Sequence, residues 1–276
     1  MNTLLLLIVC FGLLLAVGRG LDLVLWTDLY TGLCMAGSVW WRYAVLAAAL
    51  LLSLVLPRLG APRRPNPLCR RRPLPGVLAF AAAACFGAAG LLRLALDGPG
   101  PVTLARTLLE LLCAVWLCCL GRAWLRRGSW RVPAGGLTLA VFGTAVFYWC
   151  ILARFLQNSS SWHRVIPTAA VWQLCAVMLF LAAMLRALFL PGTQSDGMLC
   201  GGALASFWLC LCWEVPQTVI QTMCRQIALP EFAFRLGLWC MGALGGCCAL
   251  LYLEKPRRPA QREKGLKFPW LKCPKH

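Results

Sequence analysis

Eight stretches of roughly 20 predominantly apolar residues follow one another along this 276-residue chain. A run of that length and character spans hydrocarbon as a helix, because lipid offers no partner to a backbone N–H or C=O. The runs fall near residues 3–26, 39–56, 76–96, 102–120, 133–156, 165–190, 198–223 and 232–253. Composition agrees with them. Apolar residues make up 61% of the chain and charged residues 13%, against about 45–50% and about 25% in soluble domains. So little charge also excludes a disordered chain. The expected fold is an all-α integral membrane protein, a bundle of eight spans arranged as four hairpin-like pairs.

Proline punctuates the runs. Pro75 and Pro133 stand where a first-turn proline is tolerated. Pro57, Pro191 and Pro256 stand where the second, sixth and eighth runs finish. The first run has a rival reading as a cleaved signal, since Ala16-Val17-Gly18 has a small-x-small form. The basic start of such peptides is missing from Met1-Asn2-Thr3, so a retained helix is expected. Outside the runs, the longest segments are 57–75 and the basic tail 254–276. Both are shorter than the roughly 40 residues below which a domain rarely folds alone. The chain therefore divides into a transmembrane domain over 1–253 and a tail, with no soluble catalytic domain.

Charge orients the bundle. Alternate loops place nineteen of the 27 Lys and Arg residues on one side and eight on the other. Basic residues accumulate on the cytoplasmic side, so both termini are expected inside the cytoplasmic (plasma) membrane. An even number of spans agrees. The formal net charge of +18 is then a topology signal rather than a nucleic-acid footprint. Phe268, Trp270 and Leu271 beside Lys267 and Lys272 suit the tail to anionic lipid headgroups. Lipids, and other membrane proteins, are the expected partners.

The eight outer arginines are distributed one per span: Arg19, Arg42, Arg93, Arg106, Arg154, Arg164, Arg225 and Arg235. Snorkelling to the headgroups explains such residues, as does local pairing with the six acids of that side. A cationic outer vestibule is the functional alternative.

Two polar stripes lie deeper. In the seventh span Glu214, Gln217, Thr218 and Gln221 share one helix face, and Pro216 is expected to bend the helix there. In the fourth, Thr103, Arg106, Thr107 and Glu110 repeat the spacing, and Arg106 reaches Glu110 along it. Gln173 in the sixth span sits at a similar depth. Ionisable groups within a membrane are functional candidates by default. The binding candidates are thus Glu214, Gln217, Gln221, Glu110, Arg106 and Gln173. They suggest an outward-facing polar pocket that binds or transports a small polar or anionic solute or a lipid headgroup. A scaffold or accessory subunit with a purely structural polar layer is the alternative, and a membrane-embedded enzyme on a lipid-linked substrate comes third.

Other signals carry little. The cysteines are scattered without C-x-x-C spacing, and with His163 and His276 alone no zinc site, other metal or cofactor is implied. Cys34 and Cys224 share the outer side, and spacing alone does not pair them. Ser38 and His163 form no recognisable nucleophile motif, and no catalytic residue is assigned. Asn158-Ser159-Ser160 has the form of a glycosylation acceptor. Gly242 with Gly246, and the small residues of 81–90, read as close helix packing.

Overall fold

A computed structural model of the chain describes residues 3–60, 68, 72–126, 133–157, 164–190 and 196–253. The basic tail, Asn158 and His163 lie outside these residues. The described elements are α1 (Thr3–Leu25), α2 (Val39–Gly60), α3 (Pro73–Asp97), α4 (Pro101–Leu125), α5 (Gly136–Gln157), α6 (Val165–Phe189), α7 (Asp196–Ser206), a π-helical segment (Phe207–Trp213), α8 (Glu214–Met223) and α9 (Leu229–Leu253). α7, the π segment and α8 run on as one long element, so among the described residues eight helices are long and apolar enough to cross a membrane. The chain is all-helical among the described residues, apart from the isolated bridges Thr27–Cys34 and Leu33–Arg164 in the loops.

Pro75 lies in the first turn of α3 as expected, Pro191 and Pro256 lie outside the described residues, and Pro57 and Pro133 depart from their expected positions. α2 runs through Pro57 to Gly60. Proline has no N–H to give the carbonyl four residues back, and that Ser53 carbonyl lies against Gly201 of α7, only 3.0 Å from where a Cβ would sit. Pro133 precedes its helix instead of opening it, since α5 begins at Gly136. At Pro216 the expected distortion takes the form of the wide π turn just before it, which makes room for a proline inside the span.

Burial ranks the spans. Of the apolar window of the seventh span, 72% is buried, against 22% of the first. The seventh span is therefore the axis of the bundle. α9 packs along α3, α7 and the π segment, and α6 packs on α7. α3–α4 and α5–α6 are true hairpins. The first pair is not: α1 lies on α8 and the π segment, while α2 lies on α7. Close approach follows the small residues. A Cβ on Gly242 would meet the Leu211 backbone nitrogen at 2.8 Å, and one on Gly246 the Phe207 ring at 2.7 Å.

The core includes Trp116, Trp124, Trp208, Phe86, Phe147 and Phe180, all fully buried. Around the perimeter, Leu14, Leu51, Leu54, Leu91, Leu108 and Leu179 are exposed. An apolar surface of that extent suits lipid and not water.

A closed ionic layer as the candidate functional site

Each long helix brings at least one polar side chain to the same end of the bundle, where α1 ends and α2 begins. In α8 the spacing of Glu214, Gln217, Thr218 and Gln221 puts all four on the buried face. Glu214 accepts hydrogen bonds from Gln173 Nε2 at 2.7 Å, Thr218 Oγ1 at 2.8 Å and Gln217 Nε2 at 3.4 Å. Arg235 of α9 lies 3.2 Å from it and also donates to Gln221 Oε1 at 2.6 Å. Four of the candidates, Glu214, Gln217, Gln221 and Gln173, are thus brought together.

The other two lie across α9. Arg106 donates to Glu110 at 3.0 Å along α4, as the spacing predicts. Arg93 of α3 approaches Glu110 to 3.4 Å. Glu231, at the start of α9, joins the two groups: it lies 3.3 Å from Arg106, 3.3 Å from Arg154 and 3.6 Å from Arg235.

A third group extends the layer through α1 and α2. Asp22 takes Arg19 at 2.6 Å and Arg42 Nε at 2.7 Å. Arg19 then donates to Gln217 Oε1 at 2.7 Å, which ties the group to α8, and its guanidinium sits 4.7 Å over the Trp213 ring. The result is one connected layer that draws on all eight spans.

Snorkelling does not describe these arginines. Arg19, Arg42 and Arg93 are 2%, 0% and 9% exposed and turn into the bundle. Sequence reasoning missed Asp22, Glu231, Arg19, Arg42, Arg93, Arg154 and Arg235 as members of the layer. The signal was there in the one-per-span arginines and the acids beside them. What was lacking was any sign of which acid meets which arginine.

The layer is packed shut by its own pairs, with Glu110, Gln173, Glu214, Gln217 and Gln221 all buried. Six arginines face five carboxylates in the network among the described residues: Asp22, Asp97, Glu110, Glu214 and Glu231. The surplus sits at Asp22, which serves two guanidiniums. There Arg19 Nε and Arg42 Nη1 are buried without a hydrogen-bond partner among the described residues. Buried donors in that state are costly and attract an anionic acceptor.

The loop above the layer is ordered by local bonds. The Thr31 hydroxyl, then the Tyr30 N–H, hold the Asp28 carboxyl below its usual range. Burial pushes the Cys34 thiol up, which keeps it protonated and a poor nucleophile. No disulfide joins Cys34 to Cys224, and no cluster of metal-ligating side chains occurs among the described residues. Ser38 caps α2, its hydroxyl accepting the Trp40 N–H at 3.3 Å. No known protein family, curated protein or solved structure matches the chain.

Proposed function

We propose that this chain is a non-enzymatic multi-pass protein of the cytoplasmic membrane, termini inside, that binds a small anion or an anionic lipid headgroup at its outward-facing polar layer. The observation that carries this is the surplus guanidinium at Asp22, with an unpartnered N–H on each of Arg19 and Arg42. Binding is favoured over conduction. Away from the layer and the loop above it, the buried polar side chains among the described residues are Ser53 and Ser206. A solute path through the far half of the bundle needs more polar lining than that. The basic loops and tail add a second, less specific contact with anionic headgroups.

The scaffold reading is favoured by a different observation, the mutual bonding of the six candidates. The two readings separate by ligand-dependent stability, because a ligand that binds the folded state raises its melting point. Purified full-length protein in neutral detergent is heated with inorganic phosphate, glycerol phosphate or phosphatidylglycerol at fixed ionic strength. The expected result is a saturable rise in Tm with at least one of them, reduced in Arg42→Gln. Indifference to all three overturns the proposal and leaves the scaffold.

A further inference from the structure

We infer that the groove between α1 and α2 holds one acyl chain of an anionic membrane lipid, with its headgroup at the Arg19 end. The inference rests on the reading above and names its ligand class. The groove exists because α1 leans on α8 and the π segment while α2 leans on α7, which leaves a gap between them. Its volume is about 290 Å³, at the small end of ligand sites, which run to about 300–1,000 Å³.

Shape and polarity vary along its length. Phe11, Leu14 and Gly18 of α1 face Trp41 and Val45 of α2, with Trp213 alongside, and Arg19 and Asp22 line the polar end. From Phe11 to Asp22 the wall runs eleven residues, or about 16 Å at 1.5 Å per residue. A long apolar trough that ends at surplus positive charge matches an amphiphile with one chain in the trough and an acidic head. A soluble anion satisfies only the polar end and leaves the apolar wall to other neighbours.

The occupant comes from the bilayer. α1 is the least buried span, and Leu14 on the groove wall is 72% exposed on the perimeter that faces lipid. Charge complementarity selects the head. Asp22 compensates one of its two arginines, and the Nε of Arg19, on the groove wall and without a partner among the described residues, is a donor suited to a phosphate oxygen. Trp41 and Trp213 are amphipathic rings of the kind that sit at headgroup level.

The test uses the full-length protein in nanodiscs of equal dioleoyl phosphatidylglycerol and dioleoyl phosphatidylcholine, released into native mass spectrometry. The wild type is expected to retain phosphatidylglycerol over phosphatidylcholine by about fivefold or more, the scale of one Arg–headgroup contact. Gly18→Leu fills the trough, and a Cβ there meets nothing within 4 Å, so it is expected to fold with an unchanged Tm. It should cut phosphatidylglycerol retention about tenfold, equivalent to about 1.4 kcal/mol. Leu14→Trp blocks the same wall from a second position and should do likewise.

Equal retention of the two lipids overturns the inference, and so does full retention by the blocked variants. A lipid-free dimer of the wild type that Gly18→Leu dissociates also overturns it, since the groove then holds a second copy. If the blocked variants keep their lipid while glycerol phosphate still raises the wild-type Tm, the groove inference falls and the proposed function stands. If no anion has any effect, both fall.

Discussion

Glu110 is the residue on which the layer's energetics are most easily measured. Its carboxylate is fully buried and takes Arg106 at 3.0 Å and Arg93 at 3.4 Å. Arg93 has only more distant alternatives, Asp97 at 3.8 Å and Glu231 at 3.9 Å. Removing one partner of a buried pair strands a charge in low dielectric at a cost of about 3–5 kcal/mol. Glu110→Ala is therefore expected to lower stability by about that amount. Adding Arg106→Leu should recover part of the loss. Recovery stays incomplete because Arg93 remains uncompensated. Thermal shift of both single variants and the double measures the coupling. Simple additivity contradicts the pair. Spacing on α4 made the Arg106–Glu110 contact legible in the sequence. Nothing local marks Arg93 as the second partner, because it comes from another helix.

At the scale of the element, the seventh span is where the backbone bends the rules. The π turn over Phe207–Trp213 sits immediately before the stripe that opens at Glu214, and the proline at 216 falls within that stripe. The stripe then ends in a Schellman cap: Gln226 N–H bonds to Gln221 O and Arg225 N–H to Thr222 O, both at 2.9 Å. The left-handed position of that cap belongs to Arg225, with φ +54°. Glycine takes that conformation without the steric cost of about 1–2 kcal/mol that a side chain meets. Arg225→Gly is expected to raise stability by about 1 kcal/mol. A lower melting point would show that the arginine side chain contributes more than its backbone costs. Proline at 216 announced an irregularity in this span. Its form is a π-helical segment against which α1 and α9 pack.

For the whole molecule, the outstanding question is direction. The ionic layer lies at one end of the bundle, and alternation of the spans along the sequence assigns nineteen of the 27 basic residues to the other. The positive-inside tendency assigns that basic end to the cytoplasm. Reporters fused at Pro65 and at Ser160 are expected to report opposite sides of the membrane, with Pro65 inside. The same side for both removes a crossing from the topology, and Pro65 outside reverses the bundle. The shared level of the polar groups matters here as well. Eight spans are tied together by ion pairs at one end, while at the other the Trp124 indole N–H donates to the Leu68 carbonyl at 3.0 Å and the Arg72 N–H to the Trp124 carbonyl at 3.1 Å.

The sequence by itself determined the number of spans, their approximate limits and the level of the polar groups. Those properties follow from local physics: length against bilayer thickness, and helical periodicity along one segment. Glu214, Gln217 and Gln221 were placed on one face for that reason. Tertiary structure alone decided the rest. It paired Asp22 with both Arg19 and Arg42, made Glu231 the junction of four arginines, and separated α1 from α2 to open a groove. In lipid, apolar helices gain little hydrophobic energy from choosing one neighbour over another. Their arrangement is set by interlocking small residues and by ion pairs between segments distant in the chain. Neither is encoded in the period of any one helix.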